Sequence, residues 1–414
     1  MGQQFLETLW PVFGFARYLG MFPCNKIIDP GSGSTRYHPI HCLRQLAFFL
    51  MIGLPIFLIA HVTLALLFSL TEKSHEEMFE CLRETNPVLG ETFLDGLVLF
   101  ALLTFMWVTF FVVQWGNYSV KKELCQLANL DKFYRLDRSD IKIIKPFTIQ
   151  VVLVCIFAIF QPTMNRKMME ACAPSLPSSI LTLLCIPFFF TVLLSMTPLL
   201  VFHGITMEVT VALIEECEQL SQKDHASLSL CRHYQNLLDR IKLSRKVLSP
   251  NNFFVTTLLS VQILTISFIL LYHLADNWKN LNDFIITTLS ANVVFLIMIG
   301  SLLWFMNIWS EKATNKIHEL TRHFKNIYIS HDVLEMIEFE GQFVPPLFMK
   351  ARLEEELDEF RGFDGKGYFI LGKSFLKNLL AFCVTYLVIL IQFRLTENPS
   401  VLNPDTIQLK NITN

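Results

Sequence analysis

Thr385-Tyr386-Leu387-Val388-Ile389-Leu390-Ile391-Gln392-Phe393 closes the last hydrophobic segment of the chain. It sets one amide near the end of an otherwise apolar span. Hydrocarbon cannot hydrogen-bond an amide, so Gln392 needs a neighbouring helix, a water-filled path or copies of itself. On a helix, Thr385, Ile389, Gln392 and Thr396 share one face at three- and four-residue steps. A face of bulky apolar and small polar groups suits a pore that closes by dewetting. The same amide also suits a bond to a backbone carbonyl inside a helical bundle.

The rest of the chain has the composition of a membrane protein. It is 52% hydrophobic and 17% charged, where a soluble chain carries about a quarter charged residues. Mean hydropathy is +0.44, concentrated in blocks. A net charge of −2 provides no basic field for nucleic acid. Residues 1–20 have no basic start, contain Glu7 and Pro11, and lack a small-residue cleavage site, so no cleavable signal peptide is expected. Leu6 after Met1-Gly2 argues against myristoylation. Leu9 to Met21 reads as a short amphipathic helix at the interface.

Seven stretches are long and apolar enough to cross a bilayer: 46–70, 93–115, 145–163, 179–203, 252–275, 283–309 and 374–393. With the N-terminus inside, the inner segments hold 26 of the 34 Lys and Arg residues, counting Lys145 at the edge of the third span, and the outer segments 7, with Lys377 in the last span. Positive residues favour the cytosolic side, so the N-terminus is expected inside and the C-terminus outside. The inner segments 204–251 and 310–373 interleave charges with Leu and Ile and read as amphipathic helices prolonging the spans. Gly362, Gly365 and Gly367 mark a break before the final span.

The expected fold is an all-α membrane protein with seven transmembrane helices, a cytosolic N-terminus, an extracellular C-terminus and cytosolic helical extensions forming an anchor region. The parts are a cytosolic arm with its interfacial helix over 1–45, a six-helix ligand-binding bundle over 46–309, anchor helices over 310–373, a pore-lining helix over 374–393 and an extracellular tail over 394–414.

The motif TYhhhhhQF (h apolar) of Thr385 to Phe393 resembles the signature of insect-type gustatory receptors, which are related to insect odorant receptors, and matches it at every position. The inverted seven-span topology extends the resemblance over the whole chain. What it implies is a chemosensory receptor of the plasma membrane, a ligand-gated non-selective cation channel with four subunits, homomeric or heteromeric, around one pore. Each subunit contributes its last span. By this resemblance Ile389 corresponds to the hydrophobic gate, Gln392 to a polar ring beside it and Phe393 to the next pore-side position, with Thr385 on the same face.

The family's ligand pocket lies in the outer half of the first six spans. Candidate polar groups are His61, Asp95, Gln161 and Asn292 toward the outer ends and Gln262 in the middle of the fifth span, with Trp107 and Tyr272 as aromatic neighbours that could stack. Each of these residues can instead serve a helix-to-helix hydrogen bond. The implied partners are a small-molecule tastant, permeating cations and membrane lipids, with no cofactor. Sugars are the favoured ligand class, and bitter or amine ligands the other.

Only Cys81 and Cys172 fall in outer segments, where a bridge between them is permitted. The other cysteines lie inside or in spans and are expected reduced. His38, His41, Cys42 and Cys24 have the residue types of a zinc site without its paired spacing. The sequon at Asn117 is expected to be cytosolic and unmodified, and the one at Asn411 lies in the outer tail. No nucleophile–base pair or phosphate loop is present, so no enzymatic activity is expected. A G-protein-coupled receptor is the first alternative, disfavoured by the orientation and by the placement of Asp137-Arg138-Ser139 before the third span. A transporter, marked by paired broken helices and inverted repeats, is the second.

Overall fold

A computed structural model of the chain describes residues 22–28, 35–40, 113–131, 199–220, 228–277, 283–325, 337–339, 342–344 and 346–397, with isolated positions at 13–14, 17, 148–149, 152–153 and 156. Strands β1 (Cys24–Ile28) and β2 (Thr35–Pro39) are followed by helices α1 (Lys121–Asp131), α2 (residues 199–220) and α3 (Leu228–Asn277). Then come α4 (Asp283–Lys325), β3 (Ile337–Phe339), β4 (Gln342–Val344), α5 (Pro346–Asp358) and α6 (Lys373–Glu397).

Two long helices set the dimensions. α3 has 50 residues and no glycine, and α4 has 43. At 1.5 Å per residue α3 is roughly 75 Å long, whereas a bilayer core takes roughly 30 Å. Much of α3 therefore projects beyond the hydrocarbon as one continuous rod. Pro250 lies inside α3 without ending it. It stands where the sequence passes from the charged run Arg240 to Lys246 into the apolar run beginning at Phe253. Arg322, His323 and Lys325 in the last turn of α4 oppose the negative end of its dipole.

The core differs in physical origin along these rods. Among lipid tails, burying a Leu against another helix removes no water, so small residues and polar links hold the helices together. Where the apolar runs give way to the charged ones, His203 of α2 meets Ser310 of α4 at 2.9 Å, and Gly204 lets the Trp309 ring approach its backbone. In the charged halves, burial does remove water, at roughly 1.5–3 kcal/mol for a fully buried large apolar side chain. There Tyr234, Leu237 and Ile241 of α3 and Ile317, Leu320 and Phe324 of α4 are buried together with Leu353 and Leu357 of α5. The Tyr234 and Phe324 rings lie 4.3 Å apart. Lys242–Glu356 (2.5 Å) and Lys325–Asp358 (2.6 Å) flank this core and fix α5 to α3 and α4.

The last three predicted spans are helical over their whole lengths, within α3, α4 and α6, and each holds a window apolar enough to cross a membrane. The first four predicted spans fall largely outside the described residues. The break expected at the glycines is present: Gly362 (φ 139°) and Gly367 (φ 78°) adopt conformations that side chains rarely allow.

Three expectations require correction. Two antiparallel hairpins, β1–β2 and β3–β4, interrupt the all-helical reading. Asp29-Pro30-Gly31-Ser32-Gly33-Ser34 between β1 and β2 is a run of turn-formers, and Gly341 supplies one between β3 and β4. The inner segment after α4 is accordingly not helical throughout, since β3 and β4 precede α5. Finally, Cys24 and Cys125, expected as free thiols, are bridged, because β1 packs on α1 and brings their Cα atoms to 5.9 Å. That bridge engages the Cys24 sulfur that the zinc pattern would have used. Cys81, Cys172 and Asn411 lie outside the described residues. Asn117 is fully buried against Asn251, an environment with no room for a glycan.

A Cβ built on Gly204 would lie 2.8 Å from the Trp309 ring, whereas one on Gly116 meets nothing within 4 Å. Gly204→Val is expected to lower the Tm of the detergent-solubilised protein through roughly 1–3 kcal/mol of overpacking. Gly116→Ala should leave it unchanged or slightly raised, both read by fluorescence-detected gel filtration after heating.

Candidate functional site

α6 is the one described span that its own chain leaves largely uncovered. Only 6% of its apolar window is buried, against 56% in α3 and 39% in α4. The side that does pack follows helical spacing: Leu376, Leu379, Cys383, Leu387 and Leu390 are buried or half-buried. Thr385, Ile389 and Gln392 fall about half a turn away and are exposed. Val384, Tyr386 and Val388 are exposed with them, so most of the helix surface outside the packed side is open. Thr385 bonds its hydroxyl to the Ala381 carbonyl at 2.9 Å, which leaves its methyl on the surface. The Phe382 and Tyr386 rings meet at a tilt of 41° with centroids 4.4 Å apart. Phe393 lies in the helix, but its side chain is outside the described residues.

The N-terminal end of α6 is held by α4. A helix begins with backbone N–H groups that have no partner within it. Here Gly372 N–H donates to Asn307 Oδ1 at 2.8 Å, and Lys373 N–H donates to Glu311 Oε2 at 2.7 Å. Asn307 is fully buried, and its Nδ2 donates to the Leu303 carbonyl at 2.8 Å, so both ends of the amide are engaged. The Glu311 carboxylate also sits at the positive end of the α6 dipole and meets Lys373 Nζ at 3.5 Å.

Preceding α6, residues 363–371 form a tight loop closed by Gly365 N–H to Phe369 O (2.9 Å) and Leu371 N–H to Phe363 O (2.8 Å). α3 grips this loop. Arg245 Nη2 donates to Asp364 Oδ2 at 3.0 Å, Asn252 Nδ2 to the Asp364 carbonyl at 3.2 Å, and Lys366 N–H to Ser249 Oγ at 2.7 Å. Burial pushes the Asp364 carboxyl up, but the bonds from Arg245 and Ser249 outweigh it and hold the group below the usual carboxylate range. Asp364 therefore stays ionised through the physiological range.

The sequence did not single out Asn307, Glu311, Arg245, Asn252 or Asp364 for this purpose. Asn307 carried the signal that marked Gln392, an amide near the end of an apolar span. Of the proposed ligand residues, Gln262 is buried in α3 and Asn292 half-buried in α4. Tyr272 belongs to α3, but its side chain, like His61, Asp95, Trp107 and Gln161 altogether, lies outside the described residues. A small crevice opens elsewhere, between His203, Asn251, Asn252, Leu248, Leu302 and Met306. Neither Gln262 nor Asn292 lines it.

The chain is similar to the insect olfactory receptor OR5 from Machilis hrabei, both alone and in complex with eugenol. The TM-scores are 0.58 and 0.59 at 11% identity, covering 94% of this chain and 98% of the receptor. No family model and no curated protein matches. The likeness is one of fold.

Two outcomes test the base of α6. Asn307→Ala strips the Gly372 N–H of its buried acceptor and should lower the Tm by the equivalent of roughly 1–3 kcal/mol, with Asn307→Asp less affected. For Asp364→Asn the loss is smaller, about 1 kcal/mol, since Arg245 is half exposed and screened. A depressed carboxyl stabilises fully above its ordinary value near about 4 and loses that contribution as pH falls through the lowered value. The Tm gap between wild type and Asp364→Asn should therefore be flat from roughly pH 5.5 to 8 and close only below roughly pH 4.

Proposed function

We propose that this chain is a chemosensory receptor in which ligand binding opens a cation pore lined by α6 from several copies. The observation that carries the proposal is the exposed Thr385–Ile389–Gln392 strip on a helix apolar enough for a membrane and barely covered by its own chain. Around a shared aqueous axis, Ile389 side chains exclude water when they converge, and Gln392 lines the path for ions when they part. Similarity to an olfactory receptor solved with eugenol supports a small organic ligand.

In this reading four copies assemble in the plasma membrane, N-termini inside. The ligand enters among the outer halves of the spans, near Gln262 and Asn292. Its differential affinity for two packings of α3 and α4 biases the pore. The displacement passes to α6 through the Asn307 and Glu311 caps and the Arg245–Asp364 grip. Sugars are the first ligand class to test and amines the second.

The decisive experiment is whole-cell current from the chain expressed alone, with G-protein signalling blocked, during application of both classes. The expected result is a ligand-evoked cation current. Ile389→Ala should raise ligand-free current several-fold, and Gln392→Ala should change relative cation permeability. Surface-expressed protein whose evoked response vanishes with G-protein blockade would refute a channel. A C-terminal epitope reachable only after permeabilisation would refute the orientation.

A further inference from the structure

We propose that Cys24 and Cys125 form a redox-reversible modification site, a dithiol–disulfide latch that fastens the β1–β2 hairpin to α1 on the cytosolic side. The inference rests on the inner placement of both segments proposed above.

Three observations support it. First, the pair needs no bridge to stay together. Asn129 of α1 accepts from Tyr37 N–H and donates to Tyr37 O, both at 2.8 Å, serving β2 in place of a further strand. Lys121 Nζ donates to the Ile40 carbonyl at 3.3 Å. These contacts hold the hairpin on α1 with the Cα atoms 5.9 Å apart, within bridging range, so the reduced form is poised to close.

Second, both cysteines belong to segments that the Lys/Arg distribution assigns to the inside, where low-molecular-weight thiols keep ordinary bridges open. A pair built to bridge there is a switching pair, not a permanent staple. Cys217 provides the contrast: it is a buried free thiol that burial, with Glu216 and Glu218 nearby, pushes up to about 12. It has no second cysteine to close on among the described residues.

Third, the latch connects to the base of α6. Glu123 of α1 pairs with Lys246 of α3 at 2.7 Å, and Asn117, just before α1, bonds Asn251. Interleaved with those two, Arg245, Ser249 and Asn252 grip the loop that leads into α6. One stretch of α3 thus carries α1 on one side and the α6 loop on the other.

Closure balances as thiol–disulfide exchange with glutathione disulfide. One cysteine thiolate attacks it and releases a glutathione thiolate. The second cysteine then attacks the mixed disulfide and releases the other. Two electrons pass from the protein to the glutathione, and the two cysteine protons leave with the released thiols.

The test uses the full-length protein in native membranes. Trypsin sites at Arg17, Lys26, Lys122 and Lys132 place the two cysteines in peptides 18–26 and 123–132. After equilibration in glutathione buffers and quenching with N-ethylmaleimide, mass spectrometry quantifies these peptides as cross-linked or alkylated. The expected result is alkylation in resting cells and reversible cross-linking as the buffer becomes oxidising. Glutathione disulfide on the inner face of excised patches should shift ligand sensitivity several-fold in wild type, but not in Cys24→Ser or Cys125→Ser. A bridge that persists in reducing buffer, or never forms, overturns the latch and leaves the orientation standing. A bridge responsive in intact cells only to impermeant reagents added outside overturns the orientation itself.

Discussion

The first backbone N–H groups of α6 have no partners within their helix, and the side chains that satisfy them come from α4. Asn307 and Glu311 accept from Gly372 and Lys373, so the entry of α6 is tied to the position of one face of α4. This cap lies where the cost of an unmade bond is high, because Asn307 is fully buried. It lets α6 stand clear of the bundle over most of its length. A span with so little side-on packing needs its direction fixed at one end, and here that end is fixed by polar geometry.

The remaining contacts extend this constraint outward. Arg245, Ser249 and Asn252 of α3 hold the loop before α6, so its base answers to both long helices. α5 is pinned to the same pair by Lys242–Glu356, Lys325–Asp358 and the apolar core around Leu353 and Leu357. The charged half of the rods is therefore a water-driven core, while close approach and polar links such as His203–Ser310 join the helices where the apolar runs begin.

Much of this was legible along the chain. That the last three predicted spans are helical was legible from hydropathy, because twenty apolar residues with few charges have no alternative to a helix in lipid. The glycine break before α6 was visible for a similar reason, since positive φ is cheap only for glycine. The Thr385–Ile389–Gln392 face was equally visible, being a matter of helical spacing. The two hairpins were missed because their strands are three to five residues long, too short for a period to stand out from the helical pattern around them.

What the sequence determined by itself is a set of local facts: which segments are apolar, where they break, and which residues share a helix face. Only the tertiary structure decided which face of α6 is left open, which amide caps it, and that Cys24 lies beside Cys125, 101 residues away. The physical reason is the range of the forces involved. Helical spacing and glycine freedom act within a few residues and can be read from neighbours. A capping bond or a disulfide depends on positions set by the packing of whole helices, and no spacing along the chain records them.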